Sequence, residues 1–157
     1  MDLIGKTTIN PVLFYSGKIA GYLTWIFCFL SLNDIYILIR YDFSYNTYIA
    51  LFTGSVGLFF VVISFINLGR SNRHGLPSEN TILKTHGFFK ISRNPMYLGF
   101  NLLTISAMIY MLNLIIILFG VYSIVIYHFI IIGEEGFLEK RFGATYSNYK
   151  KSVRRYI

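Results

Sequence analysis

Long apolar stretches separated by short polar links set the rhythm of this chain. Residues 17–38 are apolar except for Lys18 at one end and Asn33 and Asp34 near the other, enough for one membrane span of about 20 residues. After a polar link at 40–46, residues 47–68 form a second such stretch carrying Gly54, Ser55 and Gly57. Small side chains there let a neighbouring helix approach closely. The longest polar stretch, 69–80, contains Gly75, Pro77 and Asn80 and reads as a loop. Residues 96–112 and 114–132 are apolar and separated only by Asn113, which predicts a tight hairpin of antiparallel helices. Beyond them Leu138, Phe142, Tyr146 and Tyr149 recur at helical spacing, predicting an amphipathic helix that runs on past Glu134 and Glu135. The expected fold class is therefore all-α: a polytopic integral membrane protein with about four transmembrane helices, a C-terminal helical hairpin and an amphipathic tail helix.

Composition agrees with a bilayer as solvent, since 55% of residues are hydrophobic, 13% charged, and mean hydropathy is +0.57. A chain of 157 residues makes one domain. Residues 1–16 are mixed in character with no small-residue cleavage site after a short apolar core, so the chain is expected to keep its start. The net charge of +7 is a topology signal. With the N-terminus inside, Lys6, Lys18, Arg70, Arg73, Lys84, Lys90, Arg93 and the six basic residues between 140 and 155 fall on one side, leaving only Arg40 on the other. Basic residues gather on the cytoplasmic side, so both termini are expected there. The basic excess then belongs to cytoplasmic loops and anionic lipid, not to nucleic acid. Cys28 is the single cysteine, and with three histidines at no ligand spacing the chain offers neither a disulfide nor a metal site. No phosphate-binding glycine loop is present. Asp34, near a span end, is expected to reach the headgroups.

Polar chemistry concentrates in residues 83–99, where Lys84, His86, Lys90, Arg93 and Asn94 sit among Gly87 and Pro95. Gly87 allows backbone conformations closed to other residues, and Pro95 is suited to opening a helix. The segment reads as an ordered loop feeding a helix near Met96, whose free N–H groups suit an anion. The predicted hairpin brings this loop and the Glu134–Glu135 pair to the same membrane face. On the last span Tyr127 lies seven residues before Glu134, so the two share a helix face, while His128, read as a packed polar residue, shares one with Glu135.

Two blocks carry a resemblance. Gly87-Phe88-Phe89-Lys90-Ile91-Ser92-Arg93-Asn94-Pro95-Met96-Tyr97-Leu98-Gly99 is similar to the Gly-Pro-Tyr-Arg-Tyr-x-Arg-His/Asn-Pro-x-Tyr-x-Gly signature of the isoprenylcysteine carboxyl methyltransferase-like family, which includes phospholipid methyltransferases. Glu134-Glu135-x-x-Leu138-x-x-x-Phe142-Gly143-x-x-Tyr146-x-x-Tyr149 resembles that family's other signature, and Gly69-Arg70-Ser71-x-Arg73-x-Gly75-Leu76-Pro77 resembles its bacterial members. The resemblance covers roughly 69–157, which makes this the expected catalytic region, with 1–68 supplying two N-terminal spans.

The resemblance implies methyl transfer from S-adenosyl-L-methionine to a lipophilic or lipid-linked acceptor at the cytoplasmic face of a bacterial inner membrane. Family positions place cofactor contacts on Leu83, Lys84, Phe89, Asn94, Pro95, Met96, Tyr97 and Glu134; the planar fork of Arg93 adds a further candidate contact, and Arg93 and Tyr97 are the candidate catalytic residues. Arg93 suits the cofactor carboxylate, and Glu134 its amino group or ribose hydroxyls. Phe88, Phe89 and Tyr97 suit the adenine or the sulfonium. A carboxylate acceptor needs no general base; an amine or hydroxyl does, and His86 and Tyr97 are the nearest candidates. Asn94 stands where many members have His and cannot carry a proton. Phe88, Phe89 and Lys90 depart from Pro, Tyr and Arg, and Ile130 stands where the eukaryotic prenylcysteine enzymes have an Arg. The alternatives are a non-catalytic membrane assembly protein or a transporter component. Against both, the polar residues gather at one membrane face instead of crossing the midplane.

Overall fold

A computed structural model describes residues 7–35, 37–68 and 83–157. The polar loop at 69–80 with its Gly69–Pro77 motif, and Lys6, lie outside the described residues. The described residues form five α-helices: α1 (Pro11–Leu32), α2 (Asn46–Leu68), α3 (Pro95–Met111), α4 (Leu114–Phe142) and α5 (Ala144–Ser152), with a 3₁₀ turn at Gly87–Lys90 before α3. Three of them, α1, α2 and α4, are long and apolar enough to cross a membrane; α3 is apolar but has 17 residues.

The helix ends follow local chemistry. α1 begins six residues earlier than hydropathy alone suggests, because the Asn10 side chain caps the Val12 N–H at 2.9 Å and Pro11 occupies the first turn. It stops at Leu32 instead of residue 38, where Asn33 turns back to the Phe29 carbonyl and Asp34 takes a left-handed φ of 60°. α3 ends on Leu112 at φ 46°, and Asn113 caps α4 through the Ile115 N–H, so the tight hairpin is present. α4 runs uninterrupted through Glu134 and Glu135 to Phe142. The expected single amphipathic tail is instead two pieces, since Gly143 at φ 52° breaks the helix before α5.

α3 is the central helix, packing on α2 most extensively and also on α1 and α4, while α1 lies along α4. Small residues make the crossings close, as the sequence suggested for Gly54 and Gly57. A Cβ at Gly99 would lie 2.8 Å from both the Gly57 carbonyl oxygen and the Val61 amide nitrogen. At Gly54 and Gly21 the nearest atoms are the rotatable hydroxyls of Ser106 and Ser123. Outward faces stay apolar, with Phe52 and Phe65 of α2 and Leu118 and Phe129 of α4 exposed, as a bilayer requires. At the hairpin end Asn113 donates to the Ile39 carbonyl, Asn46 to the carbonyls of Ile109 and Tyr110, and Arg40 to the Tyr110 hydroxyl, which anchors the α1–α2 link.

Gly99→Ala should therefore destabilise the fold by about 1–3 kcal/mol, because two of the three nearest atoms are backbone and cannot swing away. Gly136→Ala meets nothing within 4 Å and should gain up to about 1 kcal/mol from helix propensity. Thermal unfolding in detergent separates the two; equal midpoints would remove the close crossing as an explanation.

Candidate active site

At the end of the bundle opposite the hairpin turn, the residue 83–94 loop, the last turns of α4 and the C-terminal tail meet. Gly87 must be glycine twice over: its φ is +61°, and a Cβ would lie 2.6 Å from the Asn67 side-chain oxygen of α2. The 3₁₀ turn it opens is docked on α2 by Phe88, whose ring meets Phe59 and Phe60 edge-on at 5.6 and 5.8 Å. Tyr149 of α5 donates its hydroxyl to the Phe89 carbonyl. Burial pushes that hydroxyl up to about 12, so it stays a donor at physiological pH. Fully buried Ser92 then fixes the approach to α3, accepting the Asn94 N–H at 3.1 Å and donating to the Arg155 carbonyl at 3.1 Å.

The two adjacent glutamates, about 100° apart on α4, meet different partners. Glu135 is 3% exposed and is a hub. Its Oε1 accepts from Arg93 Nε and Nη2 and from Asn94 Nδ2 at 3.0–3.1 Å. Its Oε2 accepts from Arg93 Nη2 and from Arg155 Nε and Nη2 at 2.9–3.1 Å. The bonds to Glu135 hold Arg155 above its usual range. Arg93 Nη1 donates to the carbonyls of Val153 at 2.6 Å and Lys150 at 3.3 Å. All five N–H groups of Arg93 are thus directed at protein acceptors.

Glu134 faces the other way. Its Oε1 accepts the Tyr97 hydroxyl at 2.7 Å, and Oε2 receives no donor from the described residues. Tyr97 packs on a cluster of Phe14, Ile126, Tyr127 and Ile130, with the Tyr97 and Tyr127 ring centres 5.7 Å apart. The shared face expected for Tyr127 and Glu134 is thus occupied by one residue, Tyr97. Ahead of α1 the chain passes over this wall, where Thr8 donates to the Ile130 carbonyl at 3.4 Å and a Cβ at Gly133 would lie 2.7 Å from Thr8. Lys18 rests its ammonium 4.1 Å from the Phe14 ring centre, within electrostatic reach of Glu134.

The sequence pairs Arg93 with Glu134 for a cofactor; the structure brings Arg93 to Glu135 and Tyr97 to Glu134. Asn94 joins the Glu135 hub, and Pro95 and Met96 open α3 beside it. Phe89 contributes its carbonyl to α5, Leu83 and Lys84 are half-buried where the loop enters, and His86 is exposed. Sequence reasoning missed Glu135, Arg155 and Tyr156. The adjacent acids and the His128–Glu135 spacing pointed to the first, and nothing marks the tail residues.

Arg93→Lys keeps the charge but cannot serve a carboxylate and two carbonyls in one plane. It should lower the thermal midpoint of the ligand-free protein, measured in detergent; an unchanged midpoint would mean these bonds do not hold the loop.

A half-satisfied carboxylate beside aromatic faces fits a ligand that carries an ammonium or a sulfonium, so these residues suit S-adenosyl-L-methionine. Neither the comparison with curated proteins nor that with solved structures gives a match. The sequence profile of the family described as phospholipid methyltransferase matches residues 45–145, which takes in α2, the loop, the α3–α4 hairpin, and Arg93, Tyr97, Glu134 and Glu135. With most of its length so matched, the chain belongs to the phospholipid methyltransferase family.

Proposed function

We propose that this protein moves a methyl group from S-adenosyl-L-methionine to a lipophilic acceptor at the cytoplasmic face of the membrane it spans, with both termini on that side and α3 completing four spans. The observation that carries the reading is the Tyr97–Glu134 pair, 2.7 Å apart, from two separate motifs inside the matched region. The cofactor supplies an activated methyl on a sulfonium. Glu134 holds the ammonium of the donor through its open oxygen, and Tyr97 fixes that carboxylate and offers its ring face. Leu83, Lys84, Phe89, Asn94, Pro95 and Met96 complete the cofactor wall. Transfer then depends on alignment and on exclusion of water, which the apolar cluster around Tyr127 and Ile130 favours.

Arg93 acts by position. It ties the loop to α4 and the tail, and so places Asn94 and Tyr97. For an amine or hydroxyl acceptor, Tyr97 takes the proton only as it passes its own to the Glu134 carboxylate, a relay that exposed His86, with no tie to Glu134, does not have. Buried Ile130 offers no cation to a prenylcysteine carboxylate, which favours a different acceptor.

The test is to incubate the protein in native-like membranes with radiolabelled S-adenosyl-L-methionine and extract the lipids. Label in a lipid species, lost in Glu134→Gln, is expected. No extractable label from folded protein would overturn the reading.

A further inference from the structure

On the face of α4 that carries His128 and Glu135, away from Glu134, a cleft of about 480 Å³ opens sideways between α3 and α4. Its walls are Leu98, Leu102 and Ile105 from α3 and Ile124, Val125 and Phe129 from α4. Three polar residues interrupt this lining: Asn101, His128 and Tyr156. We infer that the cleft binds an anionic membrane phospholipid with a hydroxyl-bearing headgroup, its chain along the apolar walls and its headgroup at Asn101, His128 and Tyr156.

Position argues for a lipid. The cleft lies along two apolar helices whose outer faces a bilayer covers, so hydrocarbon is what reaches it. Counting from the Asn113 turn, Asn101 is twelve residues back along α3 and His128 fifteen forward along α4. At 1.5 Å per residue they sit within about one turn of the same level. The polar group is therefore a rim at one height, with apolar wall between it and the turn, the profile of an amphiphile lying along the helices.

Chemistry selects the headgroup. His128 Nδ1 and the Tyr156 hydroxyl are 2.7 Å apart with rings stacked at 26°, a preformed pair that can donate to a phosphate oxygen. The side-chain oxygen of Asn101 is buried with no partner among the described residues, and a headgroup hydroxyl would satisfy it. Next to Tyr156, two arginines share the single Glu135, which leaves one positive charge in excess. Exposed Lys151 and Arg154 lie on the same tail. A zwitterionic lipid would bring its own cation to that charge; an anionic one brings the complement.

The lipid bound here and the methyl acceptor are independent of each other. The bound lipid also gives the tail segment a ligand-dependent hold on α4, since Tyr156 would be fixed by both His128 and the headgroup.

The protein has one tryptophan, Trp25, so a fluorescent reporter can be moved. In full-length Trp25→Phe/Phe129→Trp protein in phosphatidylcholine vesicles, phosphatidylglycerol with brominated chains should quench at roughly tenfold lower mole fraction than brominated phosphatidylcholine. A reporter at Leu118, exposed on α4, should show no such preference. His128→Ala with Tyr156→Phe should remove most of the preference at residue 129. Equal quenching by the two lipids at residue 129 would overturn the inference. So would the same preference at residue 118, which marks general attraction to a basic protein. Native mass spectrometry of unaltered protein from mixed vesicles is the independent reading: retained phosphatidylglycerol supports the site, and equal retention of both lipids sinks it.

Discussion

Glu135→Gln should cost this protein about 3–5 kcal/mol, a large part of the roughly 5–15 kcal/mol that holds a typical domain together. The change keeps the shape of the side chain but leaves two arginines facing each other without a counter-charge. The Arg93 side chain is 9% exposed, so water cannot replace the lost partner, and five of the donor bonds from the arginines lose their ionic acceptor. Arg155 is a third exposed and screened by solvent, so Arg155→Gln alone should be much milder. Glu134→Gln, which keeps a carbonyl oxygen to accept the Tyr97 hydroxyl and removes only the charge, should leave the unfolding midpoint close to that of the unaltered protein. Thermal unfolding of the three variants in one detergent decides it. If Glu135→Gln melts with the unaltered protein, the hub is not what fastens loop and tail to α4.

The reversal of roles between the two glutamates marks the limit of what sequence makes legible. Periodicity located α2 to within one residue of its start and placed the hairpin turn at Asn113, because burial and turn chemistry are local. The start of α1 was also written locally, in Asn10 and Pro11, but hydropathy outweighed that cap signal. Which glutamate Arg93 meets is another kind of question. Adjacent residues on α4 differ by about 100°, so the answer depends on how α3 and α4 are rotated against each other. That rotation is set by contacts such as Gly120 against Thr104 and Met108, which no motif encodes. The tail is less legible still. Arg155 and Tyr156 reach Glu135 and His128 only because Gly143 turns the chain back, and an Arg-Arg-Tyr ending reads as a solvated basic run.

What the two motifs did make legible is that they converge, and the Tyr97–Glu134 contact is where convergence bears on binding. Glu134→Gln should weaken S-adenosylhomocysteine, which shares the ammonium of the donor, by roughly tenfold to a hundredfold, the worth of a hydrogen bond to a charged group. Tyr97→Phe should cost less, because the carboxylate keeps its charge and loses only the hydroxyl that aims it. If both act on the same ammonium, the double variant should fall short of the sum of the two losses, since an unaimed carboxylate already absent cannot be lost again. Calorimetry in detergent gives all four affinities, on variants first shown to melt like the unaltered protein. That requirement separates this outcome from the Glu135 effect, which works through folding. Unaltered affinity in a folded Glu134→Gln protein would place the cofactor elsewhere, and additive losses would mean that Tyr97 touches the ligand independently of Glu134.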